Sequence, residues 1–84
     1  MLKYRFYYQI DYIDNEGLAH YVESFHNFKK ALKTLDILNS ANEAIHYLTG
    51  TNTKFQLDKY RYQVDKDNIP LETTDELIIS NIVR

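Results

Sequence analysis

Eighty-four residues with 10 Lys or Arg against 12 Asp or Glu carry a formal net charge of −2, too acidic for a dedicated duplex-DNA binder and too nearly neutral for a mimic of DNA. Cysteine is absent, so neither disulfides nor thiolate zinc sites can supplement the small core that a chain of this length builds. With 44% hydrophobic and 26% charged residues the composition is that of a globular protein, and one domain over 1–84 is expected. No apolar run approaches the roughly 20 residues that span a bilayer, and Met1-Leu2-Lys3-Tyr4-Arg5 lacks the apolar stretch of a signal peptide. A cytoplasmic protein without membrane contact is expected.

From Leu2 to Ile13 the side chains alternate: Leu2, Tyr4, Phe6, Tyr8, Ile10 and Tyr12 on one face, Lys3, Arg5, Tyr7, Gln9 and Asp11 on the other. A period of two is that of a half-buried strand. Asp14-Asn15-Glu16-Gly17 predicts a hairpin turn, Gly17 supplying the positive φ of a G1 bulge. The return strand runs from Leu18 to about Phe25.

Phe28, Ala31, Leu32, Leu35 and Leu38, with Lys29, Lys30 and Lys33 opposite, predict an amphipathic helix capped by Asn27 or Ser24. Ala41, Ala44, Ile45 and Leu48 form a second stripe. Ser40 and Glu43 precede it at capping-box spacing and Gly50 suits a C′ position, so a second short helix over 41–49 is expected. The alternative is a strand at Ile45–Leu48 turning through Thr49-Gly50-Thr51-Asn52.

Residues 54–65 read as extended. Lys59-Tyr60-Arg61-Tyr62-Gln63-Val64-Asp65 echoes Lys3-Tyr4-Arg5…Tyr8-Gln9-Ile10-Asp11 with two residues removed. Removing two preserves strand phase, so Tyr60, Tyr62 and Val64 are expected to face as Tyr4, Tyr8 and Ile10 do. Asp65-Lys66-Asp67-Asn68 predicts a turn and Pro70 a break. Thr73-Thr74-Asp75-Glu76 has the spacing of a capping box opening onto Leu77, Ile78 and Ile82, which predicts a helix over 74–83, although Ile-Ile and Ile-Val favour a strand. The expected fold class is α+β, in the order β-β-α-α-β-α: a small antiparallel sheet (the hairpin plus a third strand) with two or three helices packed on one face.

Candidate chemistry is sparse. His20, His26 and His46 lie on separate elements without the local pairing of zinc ligands. Asp14, Glu16, Asp65, Asp67, Asp75 and Glu76 sit where turns and caps account for them. Ser24, Ser40 and Ser80 have no nucleophile-elbow context, and two glycines cannot form a phosphate-cradling loop. Asp65-x-Asp67 opens like a calcium loop but lacks the ligand and the glycine that should follow. Neither an enzyme, a metal nor a cofactor is expected.

Tyrosine is the informative residue, with eight copies. It lines core rims in strands and is also enriched where proteins meet. Lys3, Arg5, Tyr7, Gln9, Lys59, Arg61 and Gln63 are expected to share the sheet face away from the core, a basic face with one aromatic. Such a face is a candidate binding surface for a protein or, as the alternative, for single-stranded nucleic acid, which needs charge along phosphate and a ring under a base. A homodimer, or a monomer made markedly more stable by its partner, is also expected, since a sheet covered on one side leaves a face and an edge open. In size and composition the chain resembles the small Tyr-, Asn- and Lys-rich accessory proteins of phages and mobile elements in low-GC bacteria. That resemblance implies binding and blocking of a host or defence protein, and assigns no residue roles.

Overall fold

The computed structural model describes residues 3–50 and 53–82. Its elements are β1 (Lys3–Ile13), β2 (Ala19–Phe25), α1 (Phe28–Thr49), β3 (Lys54–Val64) and β4 (Glu76–Ile79). The strands form one antiparallel sheet in the order β2-β1-β3-β4, and α1 lies across one face of it. Leu2, Thr51, Asn52 and Val83, which figure in the expectations above, lie outside the described residues.

The expected order β-β-α-α-β-α is therefore corrected: the described residues form one helix, not two or three, and four strands, not three, and are mostly sheet. Ser40 caps nothing, because α1 runs unbroken through it to Gly50, which closes the helix in the left-handed region at φ 69°. The strand alternative at Ile45–Leu48 falls with it. At the other end of α1, Asn27 is the cap, its Oδ1 accepting the Lys30 N–H at 3.1 Å. The apparent capping box at Thr73–Glu76 also dissolves. The Thr74 hydroxyl accepts the Gln63 N–H at 2.9 Å, which ties this segment to β3, and Glu76–Ile79 then pairs with Lys59–Arg61 as β4.

Both hairpins turn by the same chemistry. Asp14 Oδ1 accepts the N–H groups of Glu16 and Leu18, the Gly17 N–H reaches Asp14 O and the Asp14 N–H reaches Leu18 O. Asp65 repeats each of these bonds with Asp67, Ile69 and Asn68. The position needing positive φ is Gly17 (82°) in the first turn and Asn68 (62°) in the second, the two residue types that reach it most cheaply. Asp14 also bonds His20 Nε2 at 2.8 Å. That hydrogen bond, with the Leu18 N–H next, holds its carboxyl below the usual range.

The core is small and lies under the first half of α1. Ile10, Ala31, Leu35 and Leu57 are buried together, with Tyr8, Phe25, Leu32, Leu38, Phe55 and Ile82 packed around them. Ile10 and Leu57 are direct cross-strand partners. Leu57 C=O accepts from the Ile82 N–H on the β4 side, so Ile10 and Leu57 form a non-hydrogen-bonded pair, the kind whose side chains approach most closely. Beyond this centre α1 is fastened by polar groups to the residue before β3: Asn42 Nδ2 donates to Thr53 O at 3.0 Å, and the Thr53 N–H donates to His46 Nε2 at 3.1 Å.

Little else is enclosed. The radius of gyration is 15.1 Å, with extents of 52 × 25 × 17 Å, against about 12 Å for a compact chain of this length. The accessible surface is 6270 Å², about 1,000 Å² more than mass scaling gives for a compact monomer. Replacing Gly17 by Ala is expected to lower the unfolding free energy by about 1 kcal/mol, since a Cβ is strained at this φ although nothing within 4 Å would clash with it. Urea denaturation measures this, and an unchanged midpoint would show that the turn does not need its left-handed residue.

Candidate binding surface

The β1–β3 register decides which side chains share a face. Tyr7 pairs with Tyr60, Arg5 with Tyr62, Gln9 with Asp58 and Lys3 with Val64, while Phe6 pairs with Arg61, Tyr8 with Lys59 and Tyr4 with Gln63. Direct antiparallel partners lie on the same face. The seven residues predicted as one surface are therefore divided. Lys3, Arg5, Tyr7 and Gln9 lie on the face away from α1, and Lys59, Arg61 and Gln63 lie on the α1 side. The expectation that Tyr60, Tyr62 and Val64 face with Tyr4, Tyr8 and Ile10 is corrected in the same step. Odd-numbered residues of β1 face with even-numbered residues of β3, and the sequence echo does not carry that register.

On the α1 side the cations meet aromatic rings. Lys59 Nζ stands 4.6 Å from the Phe6 centroid and 5.9 Å from that of Tyr8, and Arg61 Cζ stands 4.6 Å from that of Tyr4. Arg61 also gives both Nε and Nη2 to Glu76 Oε2 at 2.8 Å. These contacts order long side chains along a half-face that α1 does not reach, where Tyr4 and Phe6 remain exposed.

The opposite face carries the feature that the expected phase concealed, a tyrosine cluster. Tyr7 and Tyr60 stack at 5.2 Å with planes 8° apart, and Tyr62 leans on Tyr7 at 5.9 Å. The Tyr7 hydroxyl donates to Asp75 Oδ2 at 2.7 Å, reaching past β3 to hold the segment before β4 on the sheet. Burial, then this bond to a carboxylate, pushes the Tyr7 phenol well above the ordinary tyrosine range. Tyr60 is raised too, by burial and then by the charges of Asp58 and Asp11.

Next to the cluster Gln9 donates to Asp11, and Gln56 to Asp58. Asp58 also accepts the Asn81 N–H at 2.8 Å, so both carboxylates, though buried, are bonded. A shallow concavity of about 400 Å³ opens beside Tyr7, walled by Tyr62, Ser24, His26, Pro70 and Asp75.

The charges on this face balance. Lys3, Arg5 and Lys54 stand among Asp11, Asp58 and Asp75, and one face of the Tyr7 ring is taken up by Tyr60. His20, His26 and His46 are apart, bonded to Asp14, Phe6 O and Thr53. No group of three or more metal-ligating side chains occurs among the described residues, and none of their helices is long and apolar enough to cross a membrane. In comparisons with known proteins, no family model, no curated protein and no solved structure matches the chain.

A phenol whose folded pKa is raised contributes stability in full below its unfolded value, about 10, and loses it as pH climbs through the folded value. Titration followed by phenolate absorbance is therefore expected to leave Tyr7 protonated after the exposed tyrosines have ionised. Tyr7→Phe should abolish that late step and flatten the alkaline fall in stability. A single ionisation of all tyrosines near the ordinary value would contradict the half-buried, Asp75-bonded geometry.

Proposed function

We propose that this chain is a non-enzymatic protein-binding module, whose contact surface is the face bearing Arg5, Tyr7, Tyr60 and Tyr62. The single observation that carries the reading is the ordered tyrosine cluster beside a concavity. Stacking and the Asp75 bond fix the rings in advance, and rigid aromatic groups around a pocket are the groups that dominate affinity in protein interfaces. Arg5 at its margin and Ser24, His26 and Asp75 in its wall supply polar groups for orientation. The role follows the resemblance in size and composition: a cytoplasmic accessory protein that binds and inhibits or regulates a host or defence protein.

Single-stranded nucleic acid draws less support from this arrangement. Its binding requires cations along a phosphate path and an open ring face for a base, and the register sends Lys59 and Arg61 to the other side of the sheet. Immobilised chain exposed to lysate of a low-GC bacterium is expected to retain one protein stoichiometrically, and a Tyr62→Ser/Arg5→Glu variant with unchanged circular dichroism should lose it. Labelled oligonucleotides should show no anisotropy change even at low salt. Failure to retain any protein, retention unaffected by the variant, or oligonucleotide binding that weakens steeply with salt would overturn the reading.

A further inference from the structure

Helix α1 carries two stripes with identical spacing, one apolar but for Asn42 and the other wholly apolar, and the sheet uses only the first. Ala31, Leu35, Leu38 and Asn42, at i, i+4, i+7 and i+11, face the sheet; Ala31, Leu35 and Asn42 are buried and Leu38 packs on the core. Ile37, Ala41, Ala44 and Leu48 repeat that spacing six residues on. At 3.6 residues per turn six residues rotate the stripe by about 120° away from the sheet. The exposures agree: Ile37 is 61% and Leu48 80% accessible, and Ala41 and Ala44 are exposed. A helix that continues unbroken while its apolar pattern changes phase presents the second pattern to something other than its own core.

The stripe is a palindrome of large, small, small, large. Laid antiparallel on a copy of itself, Ile37 of one chain meets Leu48 of the other, and Ala41 meets Ala44. This is the layering of an antiparallel helix pair with a 4-3-4 seam, in which small central residues let the axes approach. Such self-complementarity is what a two-fold interface requires, since each residue must meet its mate twice. No charged residue lies within the stripe to oppose its own copy. Beside it, Tyr12, Leu38, Ala41, Ile45 and Phe55 line a mainly apolar groove of about 400 Å³ between α1 and the sheet, so the apolar surface continues past the seam.

We infer that two copies of this chain associate through antiparallel α1 helices, with Ile37, Ala41, Ala44 and Leu48 at the seam. Ile37, Ile45 and Leu48 are each more than half accessible. With the groove beside them they are the apolar part of the α1 surface that such a pairing withdraws from water, toward the roughly 800 Å² per partner of a standard interface. The pairing leaves the tyrosine face of each copy outward, so it stands independently of the function proposed above and gives two outward-facing copies of that surface.

Sedimentation velocity over a hundredfold concentration range tests it. The wild-type chain is expected to pass from a 10.0 kDa species to a dimer. Ala41→Glu, at an exposed helix position on the rim of that groove, should keep the circular dichroism spectrum while raising the dissociation constant more than tenfold. Tyr62→Ser/Arg5→Glu should dimerise like the wild type. Because the chain has no native cysteine, orientation can be read directly by mixing an Ile37→Cys chain with a Leu48→Cys chain under mild oxidation. Antiparallel pairing gives the mixed disulfide in preference to either symmetric one. A single 10.0 kDa species throughout, dimerisation unaffected by Ala41→Glu, or preferential symmetric cross-links would each overturn the inference.

Discussion

Everything else in this molecule depends on the antiparallel register of β1 on β3, fixed at its centre by the pairing of Ile10 with Leu57 beneath α1. These are the largest fully buried side chains among the described residues, and a slip of one residue would turn either of them out of the core. Once that pair is set, the faces of both eleven-residue strands follow. Tyr7 must meet Tyr60, and Lys59 and Arg61 must meet Phe6, Tyr8 and Tyr4. A packing constraint at the centre of the sheet thus determines the composition of both faces at its far end, where the candidate surface lies.

That centre is also small. Four apolar residues buried as one cluster leave the long ends of the sheet to be ordered by other means: paired Asp-headed turns, cation–aromatic contacts on one face and stacked phenols on the other. Aromatic pairs and exposed cation–π contacts each contribute about 0.5–1.5 kcal/mol, which suffices to fix side chains on a frame that backbone pairing already holds. The outcome is a flat molecule with a large ordered surface for its mass. Such a surface is suited to contact, the function proposed above.

Much of the fold was legible locally. The Asp14–Gly17 turn, the Asn27 cap, the Gly50 stop and the Asp65–Asn68 turn are decisions of a few adjacent residues, and each stands where the sequence places it. What misled were two changes of apolar phase. In α1 the pattern moves from Leu35 and Leu38 to Ala41, Ala44 and Leu48, which with the capping-box spacing of Ser40 and Glu43 predicts a second helix where one helix runs through. In β3 it moves from Phe55 and Leu57 to Tyr60, Tyr62 and Val64, and the echo of β1 predicts a single phase for a strand that changes it. In α1 the second stripe is exposed. In β3 the two halves have different neighbours: α1 lies over Phe55 and Leu57, while the Pro70–Leu71 segment pairs beside Val64 and Gln63. Tyr60 and Tyr62 were missed for that reason, and the switch between Leu57 and Tyr60 was the signal that could have found them. β4 was illegible for another reason. Its identity rests on the Thr74–Gln63 bond and on pairing with Lys59–Arg61, contacts that local spacing does not encode.

The register itself is open to direct measurement by nuclear Overhauser spectroscopy. The pairing requires close Hα–Hα contacts at the non-hydrogen-bonded positions, between Phe6 and Arg61, Tyr8 and Lys59, and Ile10 and Leu57. It also requires ring-to-ring contacts between Tyr7 and Tyr60. Observation of that set, with none between Tyr7 and the side chains of Lys59 or Arg61, is the expected result. Side-chain cross-peaks displaced by one residue, joining the Tyr7 ring to the Lys59 or Arg61 side chain across the strands, would restore a single basic face and contradict the account at its centre.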